Sequence, residues 1–113
     1  MIKPHGGQIV FINSSAGLKA RAGVSQYAAT KHALRAVADS LREEVNAHGI
    51  RVLSIYPGRT STPMQEIVHR MEGRIYDPDH FMRPEDIASV VINSLHLPGS
   101  AEVTDVSIRP MNK

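Results

Sequence analysis

Tyr27 and Lys31, in the run Tyr27-Ala28-Ala29-Thr30-Lys31, have the types and the spacing to do chemistry together. Residues four apart share one face of a helix. A phenol on its own titrates at about pH 10. A neighbouring ammonium favours the phenolate and draws that value toward working pH. Such a tyrosine can then act as a general acid or base. Two hydroxyls precede the pair in Ser14-Ser15-Ala16-Gly17, where a serine could hydrogen-bond a substrate carbonyl or hydroxyl. A third group, Pro57-Gly58-Arg59-Thr60-Ser61-Thr62, follows a second apolar run. Each group also has a plain structural use. Serines cap loops, Pro-Gly turns the chain after a strand, and a single Tyr-x-x-x-Lys match is weak evidence.

The elements that must position these residues are legible in outline. Gln8-Ile9-Val10-Phe11-Ile12-Asn13 is short, apolar and rich in β-branched residues, which predicts a strand buried on both faces in a parallel sheet. Ser25 to His48 reads as a long helix with a broad face of Ala28, Ala29, Ala33, Leu34, Ala36, Val37, Ala38 and Leu41. Gly49 is placed to stop it. Arg51 to Tyr56 is a second strand, ended by Pro57-Gly58. Met64, Ile67, Val68 and Met71 recur at i, i+3, i+4 and i+7, which predicts a short amphipathic helix. Pro84 suits the first position of a third helix, with Glu85 and Asp86 at its positive end. That helix runs to about Leu97 before Pro98-Gly99, and Glu102 to Ile108 reads as a third strand. The order β-α-β-lid-α-β predicts an α/β fold: a partial, doubly wound, Rossmann-like parallel sheet of about three strands. Ligands of such folds bind outside the carboxyl ends of the strands, where Ser14 and Pro57-Gly58 fall.

In combination these groups resemble the later part of the short-chain dehydrogenase/reductase family. The resemblance rests on Gly7-Gln8-Ile9-Val10-Phe11-Ile12-Asn13-Ser14-Ser15-Ala16-Gly17, Tyr27-Ala28-Ala29-Thr30-Lys31-His32-Ala33-Leu34 and Leu41-Arg42-Glu43-Glu44. It continues through Gly49-Ile50-Arg51-Val52, Tyr56-Pro57-Gly58 and Arg83-Pro84-Glu85-Asp86-Ile87-Ala88, so it covers the chain from about Gly7 to Ile108. The resemblance implies NAD- or NADP-dependent oxidoreduction of a small alcohol or carbonyl substrate. Tyr27 would exchange the proton, and Lys31 would lower the Tyr27 pKa and bind the nicotinamide ribose. The family's serine stands thirteen positions before its tyrosine and three before its loop glycine, which selects Ser14 over Ser15. Ser14 would then orient the substrate. Pro57, Gly58 and Thr60 would shape the loop against the nicotinamide, and Thr62 would contact it. Met64, Ile67 and Val68 would line the substrate side as a lid, with Met71 either on that face or simply packed. Leu18 to Ser25 is a further candidate for substrate contact.

The sequence departs from the family pattern as well. No Gly-x-Gly-x-x-Gly turn and no Asn-Asn-Ala-Gly motif occurs in the 113 residues, and the end Ser107 to Lys113 lacks the frequent Asp-Gly-Gly turn. The expectation is that residues 1–113 are the carboxyl-terminal, catalytic half of a larger domain. The three strands would correspond to the fifth, sixth and seventh of the family sheet. Lacking the phosphate-cradling turn, the segment alone would be inactive and would bind dinucleotide weakly. The alternative is a non-catalytic remnant or dimerising module, a homo-oligomer formed through the first strand's edge or the long helix.

Composition excludes several other readings. There is no Cys, so neither a disulfide framework nor a thiolate metal site exists in these residues. The six His include no i, i+4 pair and no His-Glu-x-x-His, so no metal site is expected. No Gly-x-Ser-x-Gly elbow supports a hydrolase. Thirteen Lys and Arg against eleven Asp and Glu leave a formal charge of +2. The basic residues are scattered among acids, as in Arg35, Asp39, Arg42, Glu43 and Glu44, so nucleic acid is not expected as a partner. No apolar run approaches the roughly 20 residues of a membrane span, and a cytoplasmic setting is the default expectation.

Overall fold

The computed structural model describes residues 6–17, 25–60, 63–73 and 77–111. Three parallel strands form one sheet in the order β1-β2-β3: β1 is Gly7–Ile12, β2 is Ile50–Pro57 and β3 is Asp105–Ile108. Helix α1, Ser25–Val45, crosses from β1 to β2. Helices α2, Pro63–Met71, and α3, Pro84–Leu95, lie between β2 and β3. The fold is the α/β arrangement expected from the sequence. Among the described residues no helix is long and apolar enough to cross a membrane.

Register sets which residues share a face. Ile9 pairs with Val52 and Phe11 with Ser54, while Ser54 pairs with Asp105. Side chains alternate along each strand, so Ile9, Phe11, Ile50 and Val52 fall on the α1 side. There they pack with Ala38, Leu41 and Val45. The other face takes α3, tied down where Gln8 Nε2 donates to the Leu95 carbonyl at 2.9 Å. Arg51 adds bonds to the carbonyls of Leu97, Pro98 and Ala101.

Burial differs between the strands present. The strand buried on both faces is β2, whose Val52 to Tyr56 are all buried. β1 is an edge strand of partial burial, and its Ile12 is 52% exposed. Its apolar run is that of a strand in a sheet interior, and among the strands described here it has one partner, β2.

β3 is shorter than β2, which leaves part of the β2 edge without a strand beside it. Side chains fill the gap. Val52 N–H donates to Glu102 Oε2 at 2.8 Å. The Val52 carbonyl accepts from Arg42 Nε at 3.2 Å and Nη2 at 3.0 Å. Arg42 Nη2 also donates to the Thr104 carbonyl at 3.0 Å. Asn46 Nδ2 serves the Ile50 carbonyl at 2.9 Å. Each backbone group is thereby satisfied, as buried polar groups must be. The arginine fork suits this task because its several N–H groups diverge in one plane.

Element ends follow their chemistry. α1 stops at Val45, a 3-10 turn over Asn46–His48 follows, and Gly49 adopts φ +73°. That left-handed conformation disfavours other residues. Pro84 opens α3, and the Asp86 carboxylate accepts the Arg83 N–H at 3.1 Å.

Candidate active site

The three candidate residues come from two neighbouring elements. β1 ends at Ile12, and Asn13 extends the pairing once more, its N–H donating to the Ile55 carbonyl at 2.8 Å. Ser14 follows at the carboxyl edge of the sheet. The chain then makes a 3-10 turn, Ser15–Gly17, that packs against α1. The loop bearing Ser14 is thus held beside the helix bearing Tyr27 and Lys31. Ser14 is half-buried, Lys31 is half-buried, and Tyr27 is 52% exposed at the amino end of α1. Lys31 Nζ lies 5.6 Å from the Tyr27 ring centroid, a cation–π contact that brings the ammonium beside the ring.

The second loop lies at the carboxyl end of β2. Gly58 N–H donates to the Ile108 carbonyl at 2.7 Å, and Thr60 Oγ1 donates to the Gly58 carbonyl at 3.0 Å. A Cβ on Gly58 would stand 3.4 Å from the Ile108 oxygen and 3.5 Å from the Arg109 Cα. Those are ordinary contact distances, so the approach of this loop to the end of β3 does not itself demand glycine. Met82 N–H donates to the Arg59 carbonyl at 2.9 Å, and Thr60 bridges to Met82. Thr62 and Leu18 to Val24 lie outside the described residues, as do the side chains of Met64 and Val68.

Two residues of the lid helix's apolar stripe, Ile67 and Met71, have described side chains. Ile67 is 52% and Met71 81% exposed, whereas His69 is buried at 8%. The His69 ring meets Phe81 edge-on at 5.4 Å between centroids, and the Arg59 guanidinium lies 5.4 Å from the same ring. Of the two alternatives for Met71, packing in the core is therefore not the one seen, and among the described side chains of α2 the buried one is His69. A cavity of about 320 Å³ lies beyond Gly58, lined by Phe81, Met82, Asp86, Ile108 and Arg109 among others. It includes none of Ser14, Tyr27 or Lys31.

Two buried polar groups lie deeper on the same sheet. Tyr56 is fully buried and its hydroxyl donates to Asp105 Oδ1 at 3.1 Å. Burial pushes its pKa up, and the nearby Asp105 carboxylate adds to this. Ser54 Oγ, beneath it, is buried without a hydrogen-bond partner of good geometry among the described residues.

Comparison with known proteins decides the family. The model of the short chain dehydrogenase family matches residues 1–73. The chain belongs to the short-chain dehydrogenases. An uncharacterised NAD-dependent oxidoreductase of Mycobacterium tuberculosis is 42% identical over 78% of this chain and 37% of its own length. The (-)-trans-carveol dehydrogenase of Rhodococcus erythropolis is 40% identical over 90% of this chain and 37% of its own. Among solved structures, a short chain dehydrogenase from Mycobacterium paratuberculosis bound to NAD superposes with a TM-score of 0.77 at 29% identity, over 94% of this chain and 45% of its own. This short-chain dehydrogenase sequence therefore spans less than half the length of the relatives it matches.

The residues present fit a nicotinamide cofactor in part. The Tyr27 hydroxyl and Lys31 ammonium stand together at the open carboxyl end of the sheet, and both can hydrogen-bond a ribose. The Thr60 hydroxyl is already engaged by Gly58. The residue missed in the sequence is Asn13, which reads there as the last residue of a strand. Its one signal is being polar at the end of an apolar run.

Proposed function

We propose that these residues form the catalytic part of an NAD(P)-dependent oxidoreductase that interconverts a small alcohol and its carbonyl. The observation that carries the reading is Tyr27 and Lys31, in cation–π contact on the first turns of α1, held beside the loop of Ser14. The nicotinamide, when bound, supplies or accepts the hydride at the substrate carbon. Tyr27 Oη gives a proton to the substrate oxygen in reduction and takes it back in oxidation. Lys31 places a positive charge where negative charge on that phenolic oxygen would be favoured. Ser14 Oγ hydrogen-bonds the same substrate oxygen and fixes its direction. Tyr27 and Lys31 would hold the ribose, Pro57, Gly58 and Thr60 would shape the nicotinamide side, and Thr62 would contact it. Met64, Ile67 and Val68 would face substrate, with the exposure of Ile67 favouring a surface open to a ligand.

The phosphate half of the dinucleotide finds no glycine-rich turn in the 113 residues. Residues 1–113 would thus act as the carboxyl-terminal half of the domain, inactive alone. The test uses the complete enzyme and a nicotinamide deuterated at C4, with small ketones and aldehydes as substrates. Deuterium at the former carbonyl carbon of the product supports the reading. Its appearance only in water, or no turnover with any carbonyl, refutes it.

A further inference from the structure

Asn13 stands between β1 and Ser14 and is 5% exposed. Its side chain touches two of the three site residues through their backbones. Nδ2 donates to the Lys31 carbonyl at 3.0 Å, and Oδ1 accepts the Ser14 N–H at 2.8 Å. The carboxamide has only one workable orientation. Turned over, its oxygen would face the Lys31 carbonyl and its NH2 would face the Ser14 N–H, and both contacts would repel. Gly17 leaves the space that this group occupies: a Cβ there would stand 2.7 Å from Asn13 Oδ1 and 3.0 Å from its Cγ and Nδ2. The end of β1, the 3-10 turn and the Lys31 turn of α1 therefore meet on one buried amide.

We propose that Asn13 is a positioning residue of the reaction, its carboxamide clasping the Ser14 backbone to the helix turn of Lys31 and so fixing the serine relative to the tyrosine–lysine pair. The inference rests on the reading of Ser14, Tyr27 and Lys31 given above. Asn13 acts through these residues and does not touch substrate. Aspartate would keep the acceptor for Ser14 but lose the donor to Lys31. Alanine would lose both. Since Ser14 and Tyr27 must reach one substrate oxygen, slack between their elements is felt in turnover. A displacement of about 1 Å is enough to cost on the order of 100-fold in rate.

The experiment compares kcat and KM of Asn13→Ala and Asn13→Asp with those of the unmutated, complete enzyme, the folded fraction of each being read by circular dichroism. The expected result is a kcat per folded molecule lower by about 10- to 100-fold, with KM within a few-fold of the unmutated value. A merely structural role lowers the folded fraction and leaves kcat per folded molecule where it was. A kcat per folded molecule within about two-fold of the unmutated enzyme in both variants therefore overturns the proposal. If Asn13→Ala does not fold, Asn13→Asp, of nearly equal volume, carries the same comparison. A measurement on the unmutated enzyme needs no variant: an Asn13 Nδ2 proton should exchange with solvent as slowly as the amides of α1 around it. Exchange at the rate of a free carboxamide refutes the clasp. Tyr27→Phe in the same assay separates the two failures. Retained turnover there refutes the site, whereas lost turnover there beside unaffected Asn13 variants refutes the clasp alone.

Discussion

Replacing Arg42 with Met tests how the β2 edge is satisfied. The Arg42 side chain is 12% exposed and supplies both donors to the Val52 carbonyl, within a residue that is itself fully buried. Leaving that carbonyl unpaired costs about 1–3 kcal/mol. The Thr104 carbonyl belongs to an exposed residue, so water takes over at little cost. The Asp39 carboxylate, 3.0 Å from Nη1, is 48% exposed, and screening limits its loss to about 0.5 kcal/mol or less. Glu102 is 21% exposed and loses its cation, 3.7 Å away, while keeping the Val52 N–H and Asn46. About 1 kcal/mol is reasonable for that carboxylate. The sum is about 3 kcal/mol, or a midpoint lower by about 1.5 M in urea at a slope of about 2 kcal/mol/M. Urea titration followed by circular dichroism reads it. Arg42→Lys should recover less than half, since an ammonium cannot reproduce the planar fork. A loss under about 0.5 kcal/mol for Arg42→Met would show that the Val52 carbonyl finds another donor and would refute the reasoning.

Tyr56 gives an alkaline signature. Its pKa is raised by burial in the fold, so the folded state holds the proton more tightly than the unfolded chain does. Its contribution is fully present below the unfolded value, about 10, and is lost as pH rises through the folded value. Unfolding free energy should therefore fall more steeply above pH 10 in the unmutated protein than in Tyr56→Phe, and parallel curves would contradict this. At neutral pH Tyr56→Phe should cost about 1 kcal/mol, because it removes one buried hydroxyl bond. Gly17→Ala should destabilise through Asn13, so its cost should shrink in an Asn13→Ala background. A double-mutant cycle should give a coupling of about 1 kcal/mol or more, and simple additivity would show that the two residues do not share that space.

What was readable in the sequence was local. The helix starting at Pro84, the stop at Gly49 and the paired Tyr27 and Lys31 depend on neighbours within a turn or two, and they fall where expected. What was not readable depends on contacts made far along the chain. Nothing near Val52 announces that Arg42 and Glu102 will stand in for a strand beside it. Asn13 reads as the end of a strand until α1 crosses over it and brings the Lys31 carbonyl to its amide. On α2 the apolar stripe gave the helical period, but nothing near His69 announces that it meets Phe81, twelve positions further along the chain. β1 carries the composition of a central strand, and only the register shows β2 between two partners.

The central claim is that Tyr27 moves the proton. Its direct test is the NAD(P)H-dependent turnover of the complete enzyme with and without Tyr27→Phe, with folding checked by circular dichroism. Because Tyr27 is half-exposed and no hydrogen bond among the described residues uses its hydroxyl, the substitution should leave the structure intact. Turnover should fall by at least about 100-fold, the scale of a lost general acid or base. A variant that keeps turnover within a few-fold of the unmutated enzyme would contradict the account.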